Sequence, residues 1–191
     1  MEIYKYDKKI SRDKYKKIQI SRSKLKYQYC RVSVLDTIQK INVIHNNHYE
    51  NDPIICLGVR NAREINLFKI AKNRFLSKLF YLIEIKRHGF SSLIPGIENI
   101  FPKGDINNIQ DGGVYGVELN PDTNRKDVFV GSFDDMPESY DSKFGIVYSN
   151  SFDQSINPDK TAREWMRIVK DKGYIAIDWV EDDDPTYTDP V

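Results

Sequence analysis

Apolar positions follow two rhythms along this chain, and the switches between them mark out its elements. Residues 1–24 keep neither rhythm; they are polar and basic with scattered Tyr and read as a loose arm. Over 25–45, Val34, Ile38 and Ile41 recur at helical spacing with Leu35 and Ile44 nearby. This predicts a helix with one buried stripe, broken by His45-Asn46-Asn47-His48. Pro53 to Gly58 is a short apolar run entered by Asp-Pro and closed by Gly, the pattern of a buried strand and a tight turn. Ile65, Phe68, Ala71 and Phe75 then recur every three or four residues, so a helix follows, as at the opening of a β-α-β unit.

Residues 76–113 lose the rhythm. Leu79 to Ile85 fits helix or strand, while Gly89, Pro95-Gly96, Pro102, Gly104 and Gly112-Gly113 punctuate the rest as loop, and the region reads as an insertion. Beyond it, strands are predicted at Val114–Leu119, Val128–Val130 and Phe144–Tyr148. Asp159 to Lys170 is predicted as a helix burying Ala162, Trp165, Met166 and Val169, stopped by Asp171-Lys172-Gly173, with a last strand over Tyr174–Val180. The alternation predicts an α/β fold: a mostly parallel sheet with helices on both faces. The organisation read from it is a basic N-terminal arm and helix over 1–50, then an α/β domain over 51–191.

At 191 residues the chain is long enough to bury a core without staples. Twelve Tyr and nine Phe are too many rings for a disordered chain. No apolar run approaches the roughly 18 residues of a membrane span, and the N-terminus lacks a signal-peptide core, so no membrane partner is expected. The two cysteines, Cys30 and Cys56, suggest no disulfide framework, which points to a reducing, cytoplasmic setting. The net charge of +1 hides a split: residues 1–31 carry eleven basic against three acidic residues, and 171–191 seven acidic against one basic. Tyr4, Tyr6, Tyr15, Tyr27 and Tyr29 lie among the N-terminal cations. Cations that track phosphates and rings that stack on bases make nucleic acid a candidate partner of this arm, although a lysine-rich coding bias gives the same look.

Four segments carry the candidate chemistry: Ile54-Ile55-Cys56-Leu57-Gly58, Tyr115-Gly116-Val117-Glu118-Leu119-Asn120-Pro121, Val130-Gly131-Ser132-Phe133-Asp134-Asp135-Met136-Pro137 and Phe144-Gly145-Ile146-Val147-Tyr148-Ser149-Asn150-Ser151-Phe152-Asp153. In order and spacing they resemble the motifs of the class I S-adenosylmethionine-dependent methyltransferases, and Glu164 to Tyr174 is similar to the stretch leading into that family's fifth strand. The resemblance covers roughly 53–180 and implies a Rossmann-like sheet with S-adenosylmethionine at the carboxyl ends of its strands. It implies that Gly58 lets the backbone approach the methionine part of the cofactor and that Glu118, with Leu119 beside it, accepts from the ribose hydroxyls. Ser132 and Phe133 would lie by the adenine. Ser149, Asn150 and Asp153 would stand near the transferred methyl group and the acceptor, with Asp153 as a candidate base and Asn150 orienting the acceptor.

The chain also departs from that pattern. The family has an acid two residues before its first Gly and further Gly at two alternate positions; here these places hold Cys56, Arg60 and Ala62. Arg60 would crowd a cofactor unless the loop takes another path, and Glu64 is the candidate replacement for the missing acid. The family continues with two more strands, and Pro185 to Val191 does not read as them, so the expected sheet lacks those C-terminal strands. Elsewhere His45 and His48 have no Cys or acid cluster at metal-binding spacing, so no metal site is predicted. Asp182-Asp183-Asp184 is similar to the metal-holding run of some glycosyltransferases but reads first as a solvated loop. The G-x-G-x-x-G fingerprint and the P-loop are absent, which argues against a nicotinamide enzyme and an NTPase. The expected function is methyl transfer to an unspecified acceptor. The rivals are a methyltransferase-like binding or assembly module without catalysis, motivated by the eroded first motif, and a nucleic-acid module working through the basic arm.

Overall fold

The structure is a computed structural model that describes residues 51–60, 62–73, 104–123, 125–155 and 157–178, with isolated positions 13–14, 17–18, 20–21 and 40. Most of the basic arm, the predicted helix over 25–45 apart from Lys40, the Leu79–Ile85 segment, the histidine pair and the acidic run at 182–184 lie outside these residues.

The four apolar residues of β1 (Ile54–Leu57) are all buried, because this strand has a neighbour on each side and a helix over each face. It pairs in parallel with β2 (Val114–Glu118), Ile54 opposite Val114, and with β4 (Phe144–Ser149), Ile54 opposite Ile146. β3 (Val128–Val130) continues the sheet beyond β2, and β5 (Val169–Ile177) beyond β4. The result is an α/β fold on a five-stranded, all-parallel sheet in the order β3-β2-β1-β4-β5. This is the order of the doubly wound, Rossmann-like sheets. The chain leaves β1 outward through β2 and β3, then returns to the other side of β1 for β4. The connections therefore diverge between β1 and β4, and the carboxyl ends of the strands at such a point are where sheets of this kind bind their ligands.

Side chains alternate between the two faces of each strand, and the core divides accordingly. On one face Ile54, Cys56, Val114, Val128, Ile146 and Tyr148 meet Ile65, Phe68 and Ala71 of α1 (Arg63–Lys72). On the other face Ile55, Leu57, Tyr115, Val117 and Val147 meet Trp165 and Ile168 of α2 (Pro158–Ile168). Each large side chain so buried contributes on the order of 2 kcal/mol. The approach of α1 is close enough to require Gly116 in β2, where a Cβ would stand 2.8 Å from Ile65 Cδ1 and 2.9 Å from Val59 Cγ2.

Two boundaries differ from the sequence reading. α2 buries Thr161, Trp165 and Ile168, while Met166 is 62% exposed and Ala162 is half-buried. The stripe therefore runs through a polar residue that hydrophobic periodicity passes over. α2 also ends two residues before Lys170, and β5 starts at once: Val169 pairs with Phe144, the register then breaks, and Tyr174 pairs with Ile146. Lys172, at φ 59°, turns the chain within that break. Asn157 caps the start of α2 by accepting from the Lys160 N–H at 3.1 Å, with Pro158 in the first turn, where its missing N–H costs nothing. Among the described residues no helix is long and apolar enough to cross a membrane.

Candidate functional site

The carboxyl end of β1 runs into a loop whose backbone is left-handed at alternate residues: Gly58 has φ 75°, Arg60 φ 46° and Ala62 φ 58°. Glycine adopts this conformation without strain, whereas an Arg or Ala there costs roughly 1–2 kcal/mol. The surroundings hold the path in place. The N–H groups of Gly58 and Val59 both donate to Val117 O, at 2.9 and 3.2 Å, and the Ala62 N–H donates to Val59 O at 2.7 Å. The Arg60 N–H donates to Glu118 Oε2 at 2.6 Å, and Thr123 Oγ1 donates to Arg60 O at 3.1 Å. The three places at which the resembled family carries Gly thus keep a glycine-like backbone, although two of them are Arg and Ala. At Gly58 a Cβ would lie 2.8 Å from Ser151 Cβ and 3.7 Å from Phe133 Cε1, so this glycine lets the loops after β3 and β4 close against the loop after β1.

Two buried acids flank this loop. Glu118 ends β2, and its second oxygen, Oε1, accepts from the Asn120 N–H at 3.0 Å. Burial raises its pKa above the usual carboxylate range, against the lowering pull of the Asn120 and Arg60 N–H groups and the Arg60 charge. Glu64 sits in the first turn of α1 and is 6% exposed. Its Oε1 accepts a long bond of 3.4 Å from Asn150 Nδ2, and its Oε2 is buried without a hydrogen-bond partner. Burial lifts Glu64 to about 7; its backbone bond, Arg60 and Asn150 pull it down, and Glu118 pushes it up. Arg60 therefore lies within electrostatic reach of both acids.

The loop after β4 supplies the third wall. Ser149 is fully buried; its hydroxyl donates to Leu57 O at 3.0 Å and accepts from the Ser151 N–H at 3.0 Å, tying the ends of β4 and β1 together. Asn150 reaches Glu64 through Nδ2 and accepts from Ser151 Oγ at 3.1 Å through Oδ1. Asp153 lies in the short 3-10 turn Phe152–Gln154 and is half-buried. In the loop after β3, Ser132 closes a local turn by accepting from the Asp134 N–H at 3.2 Å. Phe133 packs edge-on against Trp165 at 5.8 Å between centroids and is 7% exposed. Leu119 is half-buried beside Glu118.

The structure thus gathers Gly58, Arg60, Glu64, Glu118 and Asn150 around one loop, and it commits Ser149 and Phe133 to holding the loops together. It also reveals a hydroxyl chain that the sequence reading missed. Asp134 Oδ1 accepts a short bond from Thr161 Oγ1, and Ser155 Oγ lies 2.5 Å from the same Thr161 oxygen. Thr161 and Ser155 are buried, so the loops after β3 and β4 are locked to the start of α2. A Thr inside the apolar stripe of a helix was the one signal available for this clamp. Among the described residues no group of three His, Cys, Asp or Glu is placed to hold a metal ion. No protein-family model, no curated protein and no solved structure matches this chain.

Proposed function

We propose that the chain binds S-adenosylmethionine in the crevice between β1 and β4 and supports transfer of its methyl group to an acceptor. The observation that carries this reading is Glu118, a buried acid at the carboxyl end of β2 that faces a left-handed loop leaving β1. A carboxylate oxygen has two lone pairs. The Arg60 and Asn120 N–H groups bond one Glu118 oxygen each and the Leu119 N–H adds to them, which leaves acceptor capacity on the carboxylate that suits a ribose hydroxyl. The unpartnered oxygen of Glu64 is a further acceptor on the methionine side of such a ligand. Ser132 and Phe133 bound the adenine side, and Asn150 and Asp153 the acceptor side. The cofactor supplies an activated methyl group; the chain's own contribution is to align an acceptor with it, for which Asp153 is the candidate base.

The test is calorimetric titration with S-adenosylmethionine and S-adenosylhomocysteine. Micromolar binding of either is expected, weakened at least tenfold by Glu118→Ala. Unchanged affinity in that variant refutes the ribose contact. A second reading, a binding or assembly module without catalysis, is favoured by the way Ser151 fills the space beside Gly58. Absence of binding at millimolar cofactor selects it. If the basic arm serves nucleic acid, deleting residues 1–24 abolishes a salt-sensitive affinity for RNA or DNA.

A further inference from the structure

Among the described residues no strand lies beyond β5, so this strand forms one edge of the sheet. Its sequence is not that of an edge. Tyr174 and Ala176 share a face with Ile146 and Tyr148, and Ile175 shares the opposite face with Val147, as does Ile177. Apolar side chains on both faces are the mark of an interior strand in a parallel sheet. Yet Tyr174, Ile175 and Ile177 are 37%, 37% and 43% exposed. With Met166 of the preceding helix they make up four of the five large apolar side chains that are well exposed among the described residues. Exposed apolar surface gathered at one place marks an interaction site.

The two halves of β5 are built differently. Val169 pairs with Phe144 and Tyr174 with Ile146, so Lys170, Asp171 and Lys172 lie in a bulge between them. A bulge and lysines are the devices by which an edge is kept from pairing with another chain. The half from Tyr174 to Ile177 has neither: it is in regular register with β4 and uncharged. The Asp178 N–H donates to Ser149 O at 2.9 Å. The backbone groups of Ala176 and Asp178 are therefore turned toward β4, and by alternation those of Ile175 and Ile177 are turned outward. The edge is guarded at its start and open at its end.

We propose that this open half-edge pairs antiparallel with the same strand of a second copy of the chain, joining two sheets into one about a twofold axis at Ala176. In this register Ile175 of each copy stands opposite Ile177 of the other, and each such pair exchanges two backbone hydrogen bonds. It is the register in which both outward-turned residues of the regular half meet each other, so the segment is complementary to itself, as a twofold interface requires. The same pairing stacks the exposed isoleucines of the two copies on the α2 face of the joined sheet. Charge selects the same occupant. β5 begins with Lys170 and Lys172, and the sequence continues past Asp178 into Glu181-Asp182-Asp183-Asp184. An antiparallel second copy brings the basic start of one strand toward the acidic end of the other, whereas a parallel one sets like charges together. The interface is independent of what the carboxyl ends of the strands bind.

Light scattering of the full chain at tens of micromolar tests this. The expected mass is twice the 22.3 kDa of one chain. Ile177→Lys sets a charge on each side of the axis and is expected to raise the dissociation constant of the dimer roughly tenfold or more. Its circular dichroism should stay that of the natural chain, because the side chain it replaces is already 43% exposed. Ala176→Cys is expected to link two copies by a disulfide under mild oxidation, since the two side chains face each other across the axis in a close pair without hydrogen bonds. It should do so faster than the natural chain and faster than Lys172→Cys, which lies well away from the axis. A mass of one chain at these concentrations overturns the proposal and leaves the edge to another segment of this chain or to a different protein. A dimer that Ile177→Lys leaves intact, or that Ala176→Cys links no faster than Lys172→Cys, has its interface elsewhere and overturns it as well. Should Ile177→Lys fail to fold, the mass of the natural chain and the Ala176→Cys cross-link decide.

Discussion

Replacing Glu64 by Gln removes a titration while nearly preserving the shape of the side chain, so its effect on the stability of the ligand-free chain can be worked out. Glu64 titrates near 4.5 when exposed and at about 7 in the fold, chiefly because burial disfavours its charged form. Between these values the folded chain holds a proton that the unfolded chain has released. Stability rises with pH only where the unfolded state binds more protons. Here the folded state binds more, so stability falls as pH climbs from 4.5 to 7 and levels off above. At about 1.36 kcal/mol per pH unit, the loss is roughly 3 kcal/mol over the whole interval and about 2–3 kcal/mol between pH 5 and pH 8. Glu64→Gln lacks this loss. Groups common to both proteins, Glu118 among them, cancel to first order in the difference. Guanidinium unfolding of both proteins at pH 5 and pH 8 checks the result, given a two-state transition. The variant should gain on the natural chain by about 2–3 kcal/mol as pH rises. A stability difference that stays the same at the two pH values would show that Glu64 is charged in the folded chain, and the account of its burial would be wrong.

Other substitutions probe the supports around the site. Asp127, with no exposed surface, accepts from Lys69 Nζ at 2.9 Å and from two nitrogens of Arg125 at 2.8 Å. Asp127→Ala removes the carboxylate that both partly buried cations share and should cost about 3 kcal/mol in denaturant unfolding. Although burial alone would raise it, these partners hold the Asp127 carboxyl below its usual value. Its contribution is therefore complete above about pH 4 and is lost as pH falls through the lower native value, and acid unfolding of the natural chain should show this as a drop absent from Asp127→Ala. Gly58→Ala combines a left-handed backbone with a Cβ that would sit 2.8 Å from Ser151 Cβ. It should cost at least about 1–2 kcal/mol, with part of the loss recovered in the Ser151→Gly background, as a double-mutant cycle would reveal. Thr161→Val leaves Asp134 Oδ1 and the Ser155 hydroxyl without their shared partner and should cost about 1–3 kcal/mol in thermal unfolding, whereas Thr161→Ser should retain most of that stability.

The strands were legible because a parallel sheet buries both faces of its central members, so β1, β2 and β4 appear as unbroken apolar runs. The α1 stripe was legible because Ile65, Phe68 and Ala71 all point at one face of the sheet. α2 was only half legible: Thr161 is buried through hydrogen bonds and not through hydrophobicity, so periodicity passed over it and counted Met166 instead. The start of β5 was hidden because Val169 satisfies both the end of a helical stripe and the first pairing of a strand. In the site, the acids at 64 and 118 were visible as residues, but the burial that shifts their titration arises from packing between segments more than fifty residues apart. The left-handed loop was hidden for a different reason. Gly announces positive φ, whereas Arg60 and Ala62 reach it only because neighbouring strands hold the loop.

The two ends of the sheet show where the chain tolerates such costs. At the amino ends of the strands, polar groups are matched with cations. Lys72 Nζ donates to Asp52 O at 2.8 Å and Gly112 O at 2.9 Å, Lys170 pairs with Asp52, and Lys69 and Arg125 neutralise Asp127. Lys69 and Lys72 also stand in the last turn of α1, where a positive charge is favoured by the helix dipole. At the carboxyl ends the balance reverses. Non-glycine residues hold left-handed backbone at both ends, Ser142 and Lys172 at the amino ends and Arg60 and Ala62 here; at this end, though, two carboxyls are buried within electrostatic reach of one another, and one carboxyl oxygen has no partner. A sequence selected for stability alone would put Gly at 60 and 62 and a smaller neutral residue at 64. A buried carboxyl oxygen left unmatched at one end, beside polar groups matched with cations at the other, is the distribution expected when the unmatched end serves a ligand. It also joins the loop to the acid: the Glu118 carboxylate that bonds the Arg60 N–H helps to hold the left-handed path. Loop geometry and acid chemistry at this end therefore depend on the same side chain.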